Sequence, residues 1–363
     1  MTVWSFEAGR GRAALVALQA EWDALADTDA RLAFHQCAVW AQAYLEHLAV
    51  DHACLVWVTG RRDGVLQLVL PLEGIGRDLR LLAHDHMTLA DVLAPGVDAD
   101  VWPRLWQWLG SHQGPGCARL HLPALTSEAK LAGWLARHAP SLALQRPLEG
   151  CARLRCDGSY DELLKAASAN HRSNLSRGQK RAAQRGGLRY ETHAGTAGVA
   201  GAMQHFLAIE ASGWKGETGG AVACKPELVA FYAALGAGFG AQGRCEIDLL
   251  WLGDRAIATV FWFRTGATLH LQKIAYLEEF AELGPGRLIM AEALRRACAD
   301  ASLDQVSFIT RCPWADGWRT EVLPVHAWVL FPDTLAGRLR HRRTLVRERV
   351  KAVVKPWLVR LRG

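Results

Sequence analysis

The segment Glu282-Leu-Gly-Pro-Gly-Arg287 joins a glycine-rich turn to the start of a long amphipathic helix. Gly284 and Gly286 let the backbone approach a ligand closely, and Pro285 fits the first turn of a helix, where its missing N–H costs nothing. The free N–H groups of that turn, together with Arg287, favour an anion such as a phosphate. The segment therefore predicts a phosphate cradle, although Gly-Pro-Gly before a helix is also typical of a plain tight turn.

A second polar stretch, Asn170–Arg185, carries basic residues at three- and four-residue spacing. If the stretch is helical, Arg177, Lys180, Arg181 and Arg185 share one face. Basic side chains on an ordered helix suit the phosphates of an acceptor such as a nucleotide sugar, a lipid-linked sugar or tRNA. The alternative is a solvated helix face without a ligand.

The cluster His84-Asp85-His86 with Asp91 has three interpretations. The spacing from His86 to Asp91 resembles the acid–base dyad of glycerolipid acyltransferases, although the Phe-Pro-Glu-Gly segment of that family is absent. His-x-His on one strand face suits a metal ion. The third interpretation, which we favour, is a polar loop at the interface between two lobes that touches substrate; we predict no metal cofactor.

The elements that must position the cradle are three β-rich runs and a helix. Turns at Gly253-Asp254 and Thr265-Gly266 separate the runs and predict an antiparallel meander. A helix from Leu288 to about Ala299 follows the cradle. A dinucleotide-binding unit would instead place its glycine turn after a buried parallel strand near the start of a βαβ unit. The runs are Glu246–Leu252, Ala256–Arg264 and Thr268–Tyr276.

The chain has 363 residues, half of them apolar, which predicts a large core divided between two domains. We predict a first α/β lobe over residues 1–148, a second lobe over 149–335 and a basic tail over 336–363. In the second lobe the pattern predicts a first strand at Ala152–Cys156 and a strand at Gln305–Thr310.

Composition narrows the class of protein. No stretch of about 18 uncharged apolar residues occurs and the N-terminus lacks a basic start before an apolar run, so we expect neither a membrane span nor a signal peptide. The nine cysteines are odd in number and contain no Cys-x-x-Cys, which favours reduced thiols over a disulfide framework or a zinc site. We therefore predict a cytoplasmic protein.

Several spaced motifs together resemble GNAT acyltransferases, and more closely the Fem-like branch found in bacterial polysaccharide gene clusters. The matching segments are Trp214-Lys215-Gly216, Lys273-Ile-Ala-Tyr-Leu-Glu278 and Pro285-Gly286. The resemblance extends from about Phe34 to Phe331. It implies an α/β (α+β) fold of two GNAT-like lobes. Each lobe would have a mixed, largely antiparallel sheet flanked by helices, and the first would be degenerate.

The resemblance implies transfer of an acyl group, most simply from acetyl-CoA, to an amine or hydroxyl of a sugar, a glycan precursor or an amine. The cradle of Gly284, Pro285, Gly286 and Arg287 would hold the CoA pyrophosphate, and the basic helix would bind the acceptor. Such direct attack on a thioester needs a base and an acid. The catalytic candidates are Glu210, Tyr276, Lys273 and Asp316, and the further substrate-binding candidates are Trp214, Lys215 and Trp318.

Two positions depart from the family pattern, because Leu277 and Ala315-Asp316 replace an Asp and a Tyr-Lys pair. Either the acceptor differs or the activity is reduced. Two other functions stay open: a tRNA-dependent aminoacyltransferase of the Fem type, and a non-catalytic basic module that binds nucleic acid or anionic lipid.

The tail holds most of the positive charge. From Arg338 to Arg362 it carries ten Lys/Arg and one acid, or +9, so the rest of the +6 chain is −3. Apolar residues recur at helical spacing up to Pro356, where we expect an interruption. A basic amphipathic helix of this kind predicts peripheral contact with an anionic membrane at its inner face; the alternative is a helix packed on the second lobe.

Overall fold

The computed structural model describes residues 3–213 and 219–360, and its described side chains end at residue 350. Twelve strands in the described residues form one continuous sheet in the order β1-β2-β3-β4-β5-β12-β6-β11-β10-β9-β8-β7. The predicted α/β fold is therefore confirmed, and the sheets of the two lobes join into one.

The first lobe contains five strands and four helices. Its Asp63-Gly64 turn has positive φ at both residues (51° and 83°), which matches the twist of a tight hairpin, as the Asp-Gly pair predicts. The strands are β1 Trp4–Arg10, β2 Leu55–Arg62, β3 Val65–Ile75, β4 Asp78–Leu81 and β5 Arg119–Thr126; the helices are α1 Gly11–Asp27, α2 Ala38–His47, α3 Val101–Gly110 and α4 Lys130–His138.

The second lobe contains the predicted meander, now β8 to β10, followed by the predicted helix α9. The strands are β6 Ala143–Arg155, β7 Leu188–Ala194, β8 Cys245–Leu252, β9 Arg255–Thr265, β10 Thr268–Tyr276, β11 Gln305–Ser307 and β12 Glu321–Leu330. The helices are α5 Tyr160–Ala166, α6 Ala169–Ala183, α7 Gly195–Ala211, α8 Pro226–Ala241 and α9 Pro285–Ala299, and the tail forms α10 Leu335–Arg360.

The late strand β12 lies between β5 and β6 and pairs antiparallel with both. The predicted boundary between residues 148 and 149 falls inside β6, which pairs with β12 along most of its length. The lobes also share one hydrophobic core, which includes Trp22 and Trp40 of the first lobe and Phe206 and Phe231 of the second. Separating the lobes would therefore break a sheet and expose a core.

A buried ion pair fixes helix α9 against the sheet. Asp248 of β8 has no exposed surface and lies 3.3 Å from the Arg296 guanidinium. The same carboxylate accepts hydrogen bonds from the Trp262 indole at 2.6 Å and the Thr192 hydroxyl at 2.8 Å. A buried carboxylate with this many partners is satisfied in place, so α9 has one defined orientation.

Three local predictions are wrong, and strand β1 was not predicted. The first strand of the second lobe begins at Ala143 and not at 152, because β12 pairs with it far beyond the alternating segment. The predicted strand Gln305–Thr310 ends at Ser307, because the chain turns at Ile309. Helix α10 passes Pro356, where we expected an interruption, and continues to Arg360.

None of the described helices is long and apolar enough to span a membrane.

Candidate active site

The sheet opens between β10 and β11, and this opening is the first feature of the site. The two strands pair in parallel only over Thr268–His270 and Gln305–Ser307, while β10 continues to Tyr276. A bulge sets Gln272 out of register with β9 in the same region. Because strand pairing ends there, backbone groups of β10 face the opening and suit an extended, amide-containing ligand.

The turn after β11 widens this opening. Ile309 has φ +63°, a rare conformation for a β-branched residue, and Thr310 N–H donates to the Phe308 carbonyl at 2.6 Å across it. This three-residue turn directs the chain away from β10. Backbone strain of this kind concentrates at functional sites, which agrees with its place at the mouth of the opening.

The predicted cradle lies where β10 leads into α9. Gly284 has φ +67° and ψ +52° and precedes the helix, and Pro285 occupies its first position. The N–H groups of Arg287 and Leu288 donate to the Gly284 carbonyl at 3.0 and 3.1 Å, which closes the turn. The Arg287 guanidinium lies over Gly284, since a Cβ there would come 2.9 Å from Arg287 Cζ. A helix N-terminus beside a guanidinium forms an anion site.

Tyr276 ends β10 beside this cradle. Its ring packs on Gly286, where an added Cβ would lie 3.4 Å from Tyr276 Cδ1. Tyr276 is half-buried, so its side chain borders the opening rather than the deep core. The structure thus brings together the predicted cofactor residues and the predicted acid.

The basic stretch forms helix α6, which packs directly on the cradle loop. At Gly178 an added Cβ would collide with the Leu283 carbonyl oxygen. Arg181 donates to the Glu282 carbonyl at 2.8 Å, and Arg185 donates to the Glu282 carboxylate at 2.6 Å. These two arginines therefore border the loop that carries the cradle. The sequence predicted that the basic helix binds the acceptor, apart from the predicted CoA cradle, and this position does not agree with such a separation. Their role as acceptor ligands stays a prediction.

The other two basic residues of the predicted stripe, Arg177 and Lys180, are exposed. Arg177 donates to the side chain of Asn174 on its own helix. It therefore extends the positive surface of α6 without touching the cradle loop in the described contacts.

His171 is a site residue that the sequence did not single out. It lies in the first turn of α6, which Ser168 caps by accepting the His171 N–H at 3.2 Å. Its ring is buried against Trp318, with centroids 4.5 Å apart, and its Nε2 atom has no partner among the described residues. Burial and the nearby Arg287 charge lower the pKa of His171. A neutral imidazole thus stands beside the cradle, and Trp318 forms its wall.

The opposite face of the sheet carries a second polar cluster, centred on the bulge of β10. Gln272 Nε2 donates to the His86 carbonyl at 2.8 Å and to the Tyr232 hydroxyl at 3.2 Å. Glu210, only 2% exposed, accepts the Val222 N–H at 2.8 Å through one oxygen, while its other oxygen has no hydrogen bond among the described residues. Burial raises the pKa of Tyr232, and the Glu210 charge adds to this effect.

The first lobe contributes His86 to this cluster. Its Nδ1 atom lies 3.4 Å from the Tyr232 hydroxyl. Burial, followed by the positive charge of Lys273, lowers the pKa of His86 to about 4, so the ring is neutral near pH 7. This stretch therefore lies at the interface between the lobes, and its contact with substrate stays a prediction. Asp91 instead accepts the Lys130 and Leu131 N–H groups of α4, at 2.5 and 2.9 Å, which removes the dyad interpretation.

The predicted second base, Asp316, lies at the protein surface. Asp316 is exposed and accepts from Arg311 at 2.9 Å, and this guanidinium lowers the pKa of Asp316, so the carboxylate is a poor proton acceptor. Its role as second base is therefore not favoured. Trp214 and Lys215 lie outside the described residues. Within the described chain, no three His, Cys, Asp or Glu side chains gather as a metal site.

Known proteins share this architecture. Residues 169–313 match the model of the acetyltransferase (GNAT) domain. The structure resembles FemX at 12% identity, with a TM-score of 0.60 over 92% of this chain and 100% of that chain. It also resembles a conserved protein of unknown function from Bacteroides thetaiotaomicron VPI-5482 at 13% identity, with a TM-score of 0.56 over 87% and 97%. No curated protein sequence matches the chain. Residues 169–313 thus match a GNAT acetyltransferase domain, and the chain shares the fold of these solved structures.

Proposed function

We propose that the protein is an acyl-CoA-dependent acyltransferase, most simply an acetyltransferase. The observation that carries the proposal is the opening between β10 and β11, which ends at a helix N-terminus covered by Arg287. An acyl-CoA has the matching chemistry, because an amide-containing arm connects its thioester to a pyrophosphate. The arm would lie along β10, and Gly284, Gly286 and Arg287 would hold the pyrophosphate.

The reaction needs a free amine or hydroxyl to attack the thioester carbonyl. A C–N or C–O bond forms, the C–S bond breaks, and the acceptor proton must leave while the thiolate gains a proton. Glu210 is our candidate base, since one of its buried carboxylate oxygens has no hydrogen bond among the described residues. Tyr276 is our candidate acid, because it ends β10 and its ring packs on Gly286 of the cradle.

The acceptor that we propose is a sugar, a glycan precursor or an amine. A cleft of about 1000 Å³ lies between the lobes and meets the paired ends of β10 and β11 at Thr268, His270, Gln305 and Ser307. Both lobes line it, and its walls carry carboxylates as well as guanidinium groups. None of Glu210, Tyr276 and Arg287 lines this cleft, so it would hold only a distal part of the acceptor, for which its polar walls suit a glycan better than an apolar group.

Calorimetric titration with acetyl-CoA tests the proposal, with Gly286→Glu as the key variant. A carboxylate at this helix terminus would repel the pyrophosphate. Gly201→Glu is the matched control, because Gly201 is an exposed helical glycine with no atom within 4 Å of an added Cβ. We expect wild type and Gly201→Glu to bind and Gly286→Glu to lose binding; equal affinity in all three would contradict the cradle assignment.

Two further ligands separate the proposal from its rivals. Binding of aminoacyl-tRNA without binding of acetyl-CoA would favour a Fem-type aminoacyltransferase. Steeply salt-dependent binding of nucleic acid or anionic lipid, with no release of free CoA thiol in the presence of amines or amino sugars, would favour a non-catalytic module.

A further inference from the structure

In its described part, residues 335–350, helix α10 turns one side toward the rest of the protein. Its less exposed positions are Gly337, His341, Thr344 and Leu345, which follow helical spacing and form one face. The His341 ring packs on Phe331, with centroids 5.6 Å apart. Arg340 reaches Asp78 in the first lobe at 3.2 Å, and Arg338 pairs with Asp333 at 2.9 Å. The helix is therefore docked and has a defined outer face.

The outer face is apolar along its centre. Leu335, Leu339, Val346 and Val350 are 78%, 50%, 61% and 54% exposed. Their spacing of four, seven and four residues places them on one stripe, which lies opposite the docking face at 100° per residue. In the described part of the helix, Leu345 faces the rest of the protein, whereas the four residues of this stripe face outward and do not contribute to the core.

Positive charge flanks this stripe. The exposed arginines of the described part are Arg338, Arg340, Arg342, Arg343, Arg347 and Arg349, of which Arg338 and Arg340 pair with Asp333 and Asp78. The only acid between Arg338 and Arg362 is Glu348, against ten Lys/Arg. Because the rest of the chain carries a net charge of −3, the net positive charge of the protein comes from this tail.

We propose that the outer face of α10 binds an anionic phospholipid surface and holds the protein there reversibly. The aliphatic stripe would enter the boundary between headgroups and acyl chains, while the arginines contact lipid phosphates. A nucleic acid would satisfy the arginines but leave the aliphatic stripe unburied. A second copy of the chain would bring two strongly positive faces together, which like-charge repulsion opposes.

Co-sedimentation of the full chain with vesicles tests this proposal. We would use phosphatidylcholine vesicles that contain about one third phosphatidylglycerol, and pure phosphatidylcholine vesicles for comparison. The stripe variant is Leu339→Asn with Val346→Asn. The matched control is Val16→Asn with Val65→Asn, because these two valines are equally exposed, at 63% and 61%, but lie in the first lobe.

We expect wild type and control to sediment with anionic vesicles only, and the stripe variant to lose binding by about tenfold or more. Each of Arg342→Gln and Arg343→Gln should weaken binding about fivefold, by the usual contribution of a basic residue near an anionic leaflet. All substituted positions are exposed, and equal melting temperatures would verify intact folding.

Three outcomes would overturn the proposal. The first is equal partitioning of wild type and stripe variant. The second is tighter binding to duplex DNA that the stripe substitutions leave unchanged, which would assign the helix to nucleic acid. The third is a concentration-dependent dimer of wild type, seen by light scattering, that the stripe substitutions abolish, which would assign the face to a second copy.

Discussion

Gly178→Ala tests whether helix α6 supports the phosphate cradle. Alanine is the better helix former by about 0.5–1 kcal/mol, so helix propensity alone predicts a more stable protein. The structure predicts the opposite sign. A Cβ at Gly178 would collide with the Leu283 carbonyl oxygen and would also lie 3.4 Å from the Leu288 side chain. Both neighbours are buried, so the contact is relieved only if α6 moves away from the cradle loop.

The expected magnitude follows from this conflict. Overpacking of a filled interior costs about 1–3 kcal/mol, which exceeds the gain in helix propensity. Gly201→Ala is the matched control, since Gly201 is also helical but an added Cβ there meets nothing within 4 Å. We therefore expect Gly201→Ala to raise the free energy of unfolding and Gly178→Ala to lower it, so that the two variants differ by about 2 kcal/mol.

Urea denaturation gives the stabilities, and calorimetry with acetyl-CoA gives the functional consequence. A displaced α6 carries Arg181 away from Glu282, so we expect Gly178→Ala to bind acetyl-CoA more weakly than Gly201→Ala. The reasoning is refuted if Gly178→Ala is as stable as Gly201→Ala. Lower stability with unchanged acetyl-CoA affinity would keep the packing argument but separate α6 from the cradle.

Three shorter predictions follow from the same contacts. Charge reversal at Arg181 and Arg185 should raise the acyl-CoA KM about tenfold, because both hold the cradle loop; a change confined to the acceptor KM would restore the assignment made from sequence. Glu210→Gln should lower kcat about 100-fold or more without weakening acetyl-CoA binding, and unchanged kcat would remove it as the base. Burial lowers the pKa of His35 and His270 to about 3, below about 6.5 in the unfolded chain. Below pH 6.5 the unfolded chain therefore binds more protons than the folded chain. Each of the two histidines should lower the free energy of unfolding by about 2 kcal/mol at pH 5, which urea titrations at pH 7 and pH 5 would measure.

The meander and the cradle were predictable because their signals are local. Turn residues at Gly253 and Gly266 separate runs of β-forming residues, and Pro285 and Gly284 mark a helix start whatever the surrounding fold. These conformational preferences of glycine and proline do not depend on tertiary contacts. The sequence alone therefore indicated both the strand before the cradle and the helix after it.

The placement of the basic helix and the role of His171 were not predictable in the same way. The spacing of Arg181 and Arg185 shows that they share a helix face, but only tertiary packing brings that face to Glu282. His171 belongs to the same polar stretch. The serine at position 168 is a typical helix cap and could have indicated that His171 lies in the first turn of α6. Its contact with Trp318 joins residues far apart in sequence and leaves no periodic trace.

The acceptor side of the site depends on both lobes. Glu210, Tyr232 and Gln272 lie within the segment that matches the acetyltransferase domain, whereas His86 lies outside it and reaches Tyr232 across the lobe interface. Because β12 lies between β5 and β6, this interface is built into one sheet and does not open by a simple hinge. Under the proposed function, residues 169–313 would bind the acyl donor, while the first lobe would shape the space for the acceptor. If that is so, substitutions at His86 should change the choice of acceptor more than the affinity for acetyl-CoA, and steady-state kinetics with paired acceptors would measure the difference.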